Sequence, residues 1–409
     1  MSFAMANESL ELPQTLTRLE QLEKFLLVDP TNLKLRRDTF DAALQMRNWE
    51  RAAHHLGVAQ DQVRTSEQAH ARLEWALKEG DFWLAQREWL QAKAVLHALS
   101  EQPGAPQSFN DAVLHNLAYI ELSQNDATAC VNRLAPRLEA SVQPQPIELP
   151  PAGGKLQQLW LRALHSSGQT ARALQWAQAA QQVQRLDVLA AAVASTVALD
   201  EEALDLALQW SGAALRHWEE TSSTQVRQQG GAHPPLEALV TQAWLALTQR
   251  DGARASDLAQ RALQVQPNEA RAWSAWGYAG LLLGQPPAQV ESHFQQAVVL
   301  QPDVLDHWSG LAWAQLAQQH TAVAIESLRK ALALDAEFAE THGTLALAHA
   351  VQGERELATQ YLASAKQLDP QCQSAQHAQY LLDHPDAALS LQKTLSEIHK
   401  FSHGSSTRH

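Results

Sequence analysis

The chain has 409 residues, 45% of them hydrophobic, which is enough for one large core or several smaller ones in series. Lys and Arg total 31 against 44 Asp and Glu, a net charge of −13. That balance argues against nucleic acid or an anionic membrane surface as partners, because both need a basic footprint.

The first residues show no basic segment followed by an apolar run, so no signal peptide is expected. No stretch of about 18 uncharged apolar residues marks a membrane-inserted helix. The two cysteines, Cys130 and Cys372, lie far apart in no motif, which fits a reducing, cytoplasmic setting. Ala, Leu and Gln dominate and alternating β-branched runs are absent, so the spacing predicts an all-α chain.

In chain order, residues 16–28 read as a lone amphipathic helix, an N-terminal half-repeat. Helix pairs follow, marked by Phe40, Ala43, Ala52, Leu56 and Ala59, then by Ala69, Leu73, Gly80, Ala85, Trp89 and Ala92. A third carries Leu114, Leu117, Ala118, Cys130 and Leu134, and a fourth carries Trp160, Leu161, Gly168, Ala173 and Ala180. The stretch "LDVLAAAVASTVALDEEALDLALQW" is helical but keeps this pattern poorly. Three stretches rich in Pro, Gly, Ser and Gln interrupt the series at 100–108, 141–154 and 220–235. The expected organisation is an N-terminal region over 1–219, a flexible loop or linker over 220–235, and four regular repeats over 236–372. A capping helix over 373–400 and a disordered tail over 401–409 complete it.

The regular repeats begin at Leu236, Ala270, Leu305 and Ala339, 34 or 35 residues apart, and each closes with a similar phrase such as "RALQVQP" or "QAVVLQP". The Leu305 segment places Trp308, Leu311, Ala312, Ala324, Leu328 and Ala331 at positions 4, 7, 8, 20, 24 and 27. The Ala339 segment places His342, Leu345, Ala346, Gly353, Ala358, Leu362, Ala365 and Pro370 in the same register. On these residues the chain resembles the tetratricopeptide repeat (TPR) family, strongly over about 236–370 and more weakly over about 31–215. The resemblance implies a right-handed α-solenoid of stacked antiparallel helix pairs, about nine in number. Small residues let the helices of a pair approach, bulky ones fill the layers, and a turn residue at position 15 reverses the chain.

No phosphate loop, nucleophile elbow, H-E-x-x-H or C-x-x-C is present, and the 18 histidines form no spacing typical of metal ligands. No catalytic residue, metal or cofactor is therefore expected. The resemblance instead implies partner binding in a concave groove lined by positions 2, 5, 9, 12 and 13 of each first helix. Those positions are polar in the N-terminal repeats, with Arg37, Asp41, His70, Glu74, His115, Tyr119 and Arg162. In the regular repeats they are apolar, with Trp244, Leu247, Tyr278, Leu281, Trp313, Leu316 and Leu347. Position 9 is Trp244, Tyr278 and Trp313 in three consecutive repeats, so these rings are expected to ladder up the inner wall. Trp273, Trp276 and Trp308, at positions 4, 7 and 4, are expected as filling between layers. Position 9 is never Asn, which argues against the family's carboxylate clamp for acidic peptide tails.

The expected function is a non-catalytic scaffold or adaptor that takes a protein or peptide partner, an apolar peptide or amphipathic helix, in this groove. A homodimer through the groove or terminal repeats would cover the same surface. The alternative is a regulatory or substrate-recruiting subunit of an enzyme complex, or an enzyme of unrecognised type.

Overall fold

The computed structural model describes residues 17–64, 69–100, 102–142, 152–222 and 233–384. Among the described residues every regular element is a helix, and the chain divides into two compact units, 1–169 and 170–409. Glu67, most of the expected 220–235 loop, residues 385–400 of the expected cap and the 401–409 tail lie outside the described residues.

The first unit contains α1 (Arg18–Val28), α2 (Leu33–Gln45), α3 (Trp49–Arg64) and α4 (Ala69–Ala85). It continues with α5 (Trp89–Ser100), α6 (Gln107–Ser123), α7 (Ala127–Ala140) and α8 (Gly154–Ser166). A capping box starts α1: the Glu20 N–H donates to the Thr17 hydroxyl, and the Thr17 N–H donates to the Glu20 carboxylate at 2.8 Å. Phe40 and Trp75 meet edge to face at 6.0 Å and anchor one core, while Leu96, Val113, Leu117 and Ile120 build the next. Cys130, at the small position 20, is fully buried, and burial pushes its thiol up to about 12.

The second unit contains α9 (Thr170–Gln182), α10 (Val188–Asp200), α11 (Leu204–Thr221), α12 (Leu236–Thr248), α13 (Gly252–Val265) and α14 (Ala270–Leu282). It ends with α15 (Pro287–Leu300), α16 (Leu305–Ala317), α17 (Thr321–Leu334), α18 (Ala339–Gln352), α19 (Arg355–Leu368) and α20 (Gln373–Asp383). The units divide at 169/170, not at the 220–235 break. Helices α11 and α12 pack across that break, with Gln242 donating to the Ser211 hydroxyl at 2.7 Å. Phe294 is fully buried between two glycines: a Cβ at Gly310 would fall 2.2 Å from its ring, and one at Gly277 2.7 Å. Only the absence of side chains there lets α14 and α16 close on the ring.

Position 15 sets the register. It takes the left-handed conformation in turn after turn: Arg47, Asn125, Gly168, Glu202, Arg250, Gly284, Gln319 and Gly353 all have φ between 53° and 73° or at 79°. The following N–H then reaches back to the carbonyl five residues earlier, as in Asn48 to Ala43, Asp251 to Ala246 and Glu354 to His349. This turn corrects the second repeat. Gly80, expected at the turn, lies inside α4 against Leu96, where a Cβ would come within 2.9 Å of the Leu96 side chain. The turn falls at Arg87 instead (φ 61°). The register therefore starts at Leu73, seven residues later than a turn at Gly80 would place it. A shift of seven residues is nearly two helical turns, so the apolar face looks almost the same in either register.

A second recurrence concerns the fourth residue of the first helix. Arg36, Gln157, Trp273 and Trp308 donate side-chain N–H bonds to the carbonyls of Pro30, Ala152, Pro267 and Pro302 at 2.6, 2.8, 2.8 and 2.7 Å. His342 Nε2 donates to the Ala336 carbonyl at 2.8 Å, and Asn110 and Gln376 make longer versions. Those carbonyls precede the helix and have no intrahelical partner, so the side chain supplies the missing donor. What recurs is an N–H group rather than bulk.

Candidate partner-binding surface

Position 9 in each unit reaches forward to the first helix of the next repeat. In the second unit the Trp244 indole N–H donates to the Arg271 carbonyl at 3.3 Å, and the Tyr278 hydroxyl donates to the Asp306 carbonyl at 3.0 Å. Both acceptors stand at position 2. The Trp244 and Tyr278 rings touch edge to face at 5.7 Å, and Tyr278 meets Phe294 the same way at 4.9 Å. Tyr278 is 8% exposed, and burial holds its hydroxyl well above the usual range.

This corrects the expected aromatic ladder. Tyr278, Leu247, Leu316 and Leu347 are buried and pack in the apolar cores of the unit. The rings are drawn inward because each polar tip finds a backbone carbonyl on the neighbouring helix. Trp244, Leu281 and Trp313 keep partial exposure, so the apolar surface presented by the expected set reduces to these three. Trp273 and Trp276 stack at 5.5 Å, and Trp276 stacks on His293 at 4.0 Å, as filling between layers.

The first unit uses charge for the same connection. Asp41, at position 9, accepts from Lys78 at 2.8 Å. Asp81, at position 9 in the corrected register, accepts from Asn116 at 2.9 Å. Arg37 pairs with Glu74 at 3.0 Å, which places Glu74 at position 2 instead of the expected 9. Burial raises the Asp81 carboxyl above its ordinary range, opposed by Lys78 and Asn116. His70 lines a cleft of about 510 Å³ with Lys34, Arg37 and Glu74. His115 stacks on the half-exposed Tyr119 at 6.4 Å, and Arg162 is exposed on α8. The expected polar set therefore spans α2, α4, α6 and α8, and much of it pairs with itself.

One cluster in the second unit lay outside the expected set. Arg271 on α14 holds Asp200 at the end of α10 through two bonds, 2.7 and 3.3 Å. This pair skips α12. Packed helix axes stand roughly 8–10 Å apart, so a flat row would hold α10 and α14 about twice that distance from each other. The wall must curve toward this side for the side chains to meet, which makes it the concave side. Asp306 lies beside the pair and is solvent-exposed, yet desolvation by the surrounding wall raises its carboxyl above the usual range. Glu269, the N-cap of α14, is raised for the same reason, with Glu237 nearby adding repulsion.

No protein-family model and no curated protein matches the sequence. Solved structures do. A tetratricopeptide repeat protein from Parabacteroides merdae is 13% identical, with 72% of this chain and 98% of that one aligned at a TM-score of 0.42. The Cut9–Hcn1 hetero-tetramer of the APC/C is 13% identical over 93% of this chain and 80% of that one, also at 0.42. YrrB, described as a TPR protein with an unusual peptide-binding site, is 16% identical over 56% and 93%, at 0.32. These are similarities in how helices are paired; within the chain itself the left-handed turns recur 34 or 35 residues apart from Gly168 to Glu202 and from Arg250 through Gly284 and Gln319 to Gly353.

Proposed function

We propose that the protein is a non-catalytic scaffold that holds a partner polypeptide on the first-helix wall of its second unit. The observation that carries this reading is the partial exposure of Trp244, Leu281 and Trp313 on a wall where Tyr278, Leu247, Leu316 and Leu347 are closed. Trp is the residue most often found at energetically dominant contacts, and a partly apolar wall that curves inward suits a peptide or amphipathic helix.

The test is affinity capture from the native host with wild type, Trp313→Ala, and the Trp244→Ala/Trp313→Ala double variant, each checked by circular dichroism. Loss of a partner from variants that keep their helical melt supports the reading. Equal capture by all three proteins overturns it. Trp313→Ala separates the loss of one ring from the loss of both, and the helical melt of each variant reports any fold defect, since Trp244 also bonds to the Arg271 carbonyl.

A further inference from the structure

The chain's acidity is concentrated in the second unit. Residues 170–384 carry 22 Asp and Glu against 12 Lys and Arg, a net −10, whereas residues 1–169 carry 20 against 16, a net −4. Within the second unit, four carboxylates gather at the concave wall near Arg271. Asp200, Glu269 and Asp306 lie near Arg271, and Glu237 lies near Glu269. Arg271 spends its guanidinium on Asp200. The Asp306 carboxylate takes no hydrogen bond or ion pair there, although it stands open to water.

An exposed carboxylate with no partner of its own is free to take a cation, and a Lys or Arg placed against it forms a charge-assisted contact. The neighbouring surface is suited to what accompanies such a cation. The Tyr278 hydroxyl binds the Asp306 backbone carbonyl, and Trp244 binds that of Arg271, so the partly exposed Trp244 ring sits on the same part of the wall. An indole face accepts the aliphatic stem or the charged head of Lys or Arg.

We infer that the partner segment taken by this wall is basic: a cationic, amphipathic polypeptide whose Lys or Arg seats against Asp306, beside the Asp200–Arg271 pair, with its apolar side on Trp244. This inference rests on the scaffold reading above and specifies the chemistry of its ligand. It runs opposite in sign to capture of an acidic tail.

The test uses two synthetic amphipathic helical peptides of equal length, one of Leu and Lys and one of Leu and Glu, titrated into the full chain by calorimetry. The Leu/Lys peptide is expected to bind and the Leu/Glu peptide not to, with affinity falling as salt rises. Asp306→Asn is expected to weaken binding about tenfold, the loss of one charge-assisted contact. Asp257→Asn removes the same charge from an exposed site on α13 and is expected to change affinity less than about twofold. Because the Asp306 carboxylate is exposed and makes no bond within the fold, its Asn variant is expected to keep the thermal midpoint.

Equal binding of both peptides, or equal effects of the two Asn variants, overturns the basic-partner inference and leaves the scaffold reading standing. So does failure of the Leu/Lys peptide to bind while partner capture still depends on Trp313. Weakened binding with a lowered thermal midpoint assigns Asp306 to the fold and likewise overturns the inference.

Discussion

The two units solve one problem with different chemistry. Each must tie the first helix of a repeat to the first helix of the next, and each does so from position 9. The first unit uses Asp41 to Lys78 and Asp81 to Asn116. The second uses Trp244 and Tyr278, whose polar tips reach backbone carbonyls while their rings fill the core. A side-chain pair needs two residues to agree, and in water it is screened. An aromatic ring with a carbonyl acceptor needs one residue, because every helix offers the carbonyl. The difference teaches that a polar wall and an aromatic wall can be equally self-occupied, and that binding surface is whatever the staples leave over.

Four measurements would break or sharpen this contrast. The largest effect is expected at Phe294, which supports the Tyr278 ring: Phe294→Ala should cost about 3–5 kcal/mol in chemical denaturation. A cost below about 1 kcal/mol would show that the glycine-lined site closes over the gap. Tyr278→Phe keeps the ring and loses only its bond to the Asp306 carbonyl, so the expected cost is about 1 kcal/mol, unchanged between low and high salt.

The charged counterpart should be weaker and salt-sensitive. A double-mutant cycle on Asp41 and Lys78 is expected to give a coupling of about 0.5–1 kcal/mol that fades toward 1 M salt. A coupling as large and as salt-resistant as the Tyr278 bond would erase the contrast.

The smallest effect is a pH slope. Desolvation lowers the His293 and His307 pKa values below the ordinary 6.5. The unfolded chain then binds protons that the folded one refuses, so stability present above pH 6.5 is lost as pH falls below it. His55 in the first unit is also lowered, but its bond to Glu23 opposes the shift, whereas His293 has no such compensation. His293→Phe should therefore flatten the decline in thermal midpoint between pH 6.5 and 5 more than His55→Phe does; the reverse order would refute that assignment.

Much of the repeat was legible because steric rules write it in residue types. Ala at 8, 20 and 27 and the turn at 15 located most helix pairs. The second repeat was misread because Gly serves two purposes, opening a turn or permitting a close approach, and only Leu96 lying against Gly80 separates them. The groove was legible as a stripe but not as a surface. Leu247, Leu316 and Leu347 fell on the predicted stripe and were buried, since a stripe says which way a residue points and nothing about what meets it. Asp200, Arg271 and Asp306 were missed for a related reason: pairing across a skipped repeat depends on curvature, which no single repeat encodes. The signal available was the charge of Arg271 and Asp306 at position 2 and of Asp200 at position 13, positions that face the wall.

The position-15 turn also dictates where the chain can grow. Its hydrogen bond joins residues five apart, so an added residue before that point would break the reversal. The three long breaks at 100–108, 141–154 and 220–235 all fall after a second helix and before the next first helix, outside the counted interval. Even the one residue that makes the repeat beginning at Ala270 35 long instead of 34, in "GQPPA", comes after Gly284 and the Gln285 bond to the Gly280 carbonyl. Labels, tags or whole inserted modules therefore belong at that seam, where the fold has already been lengthened three times without losing its count.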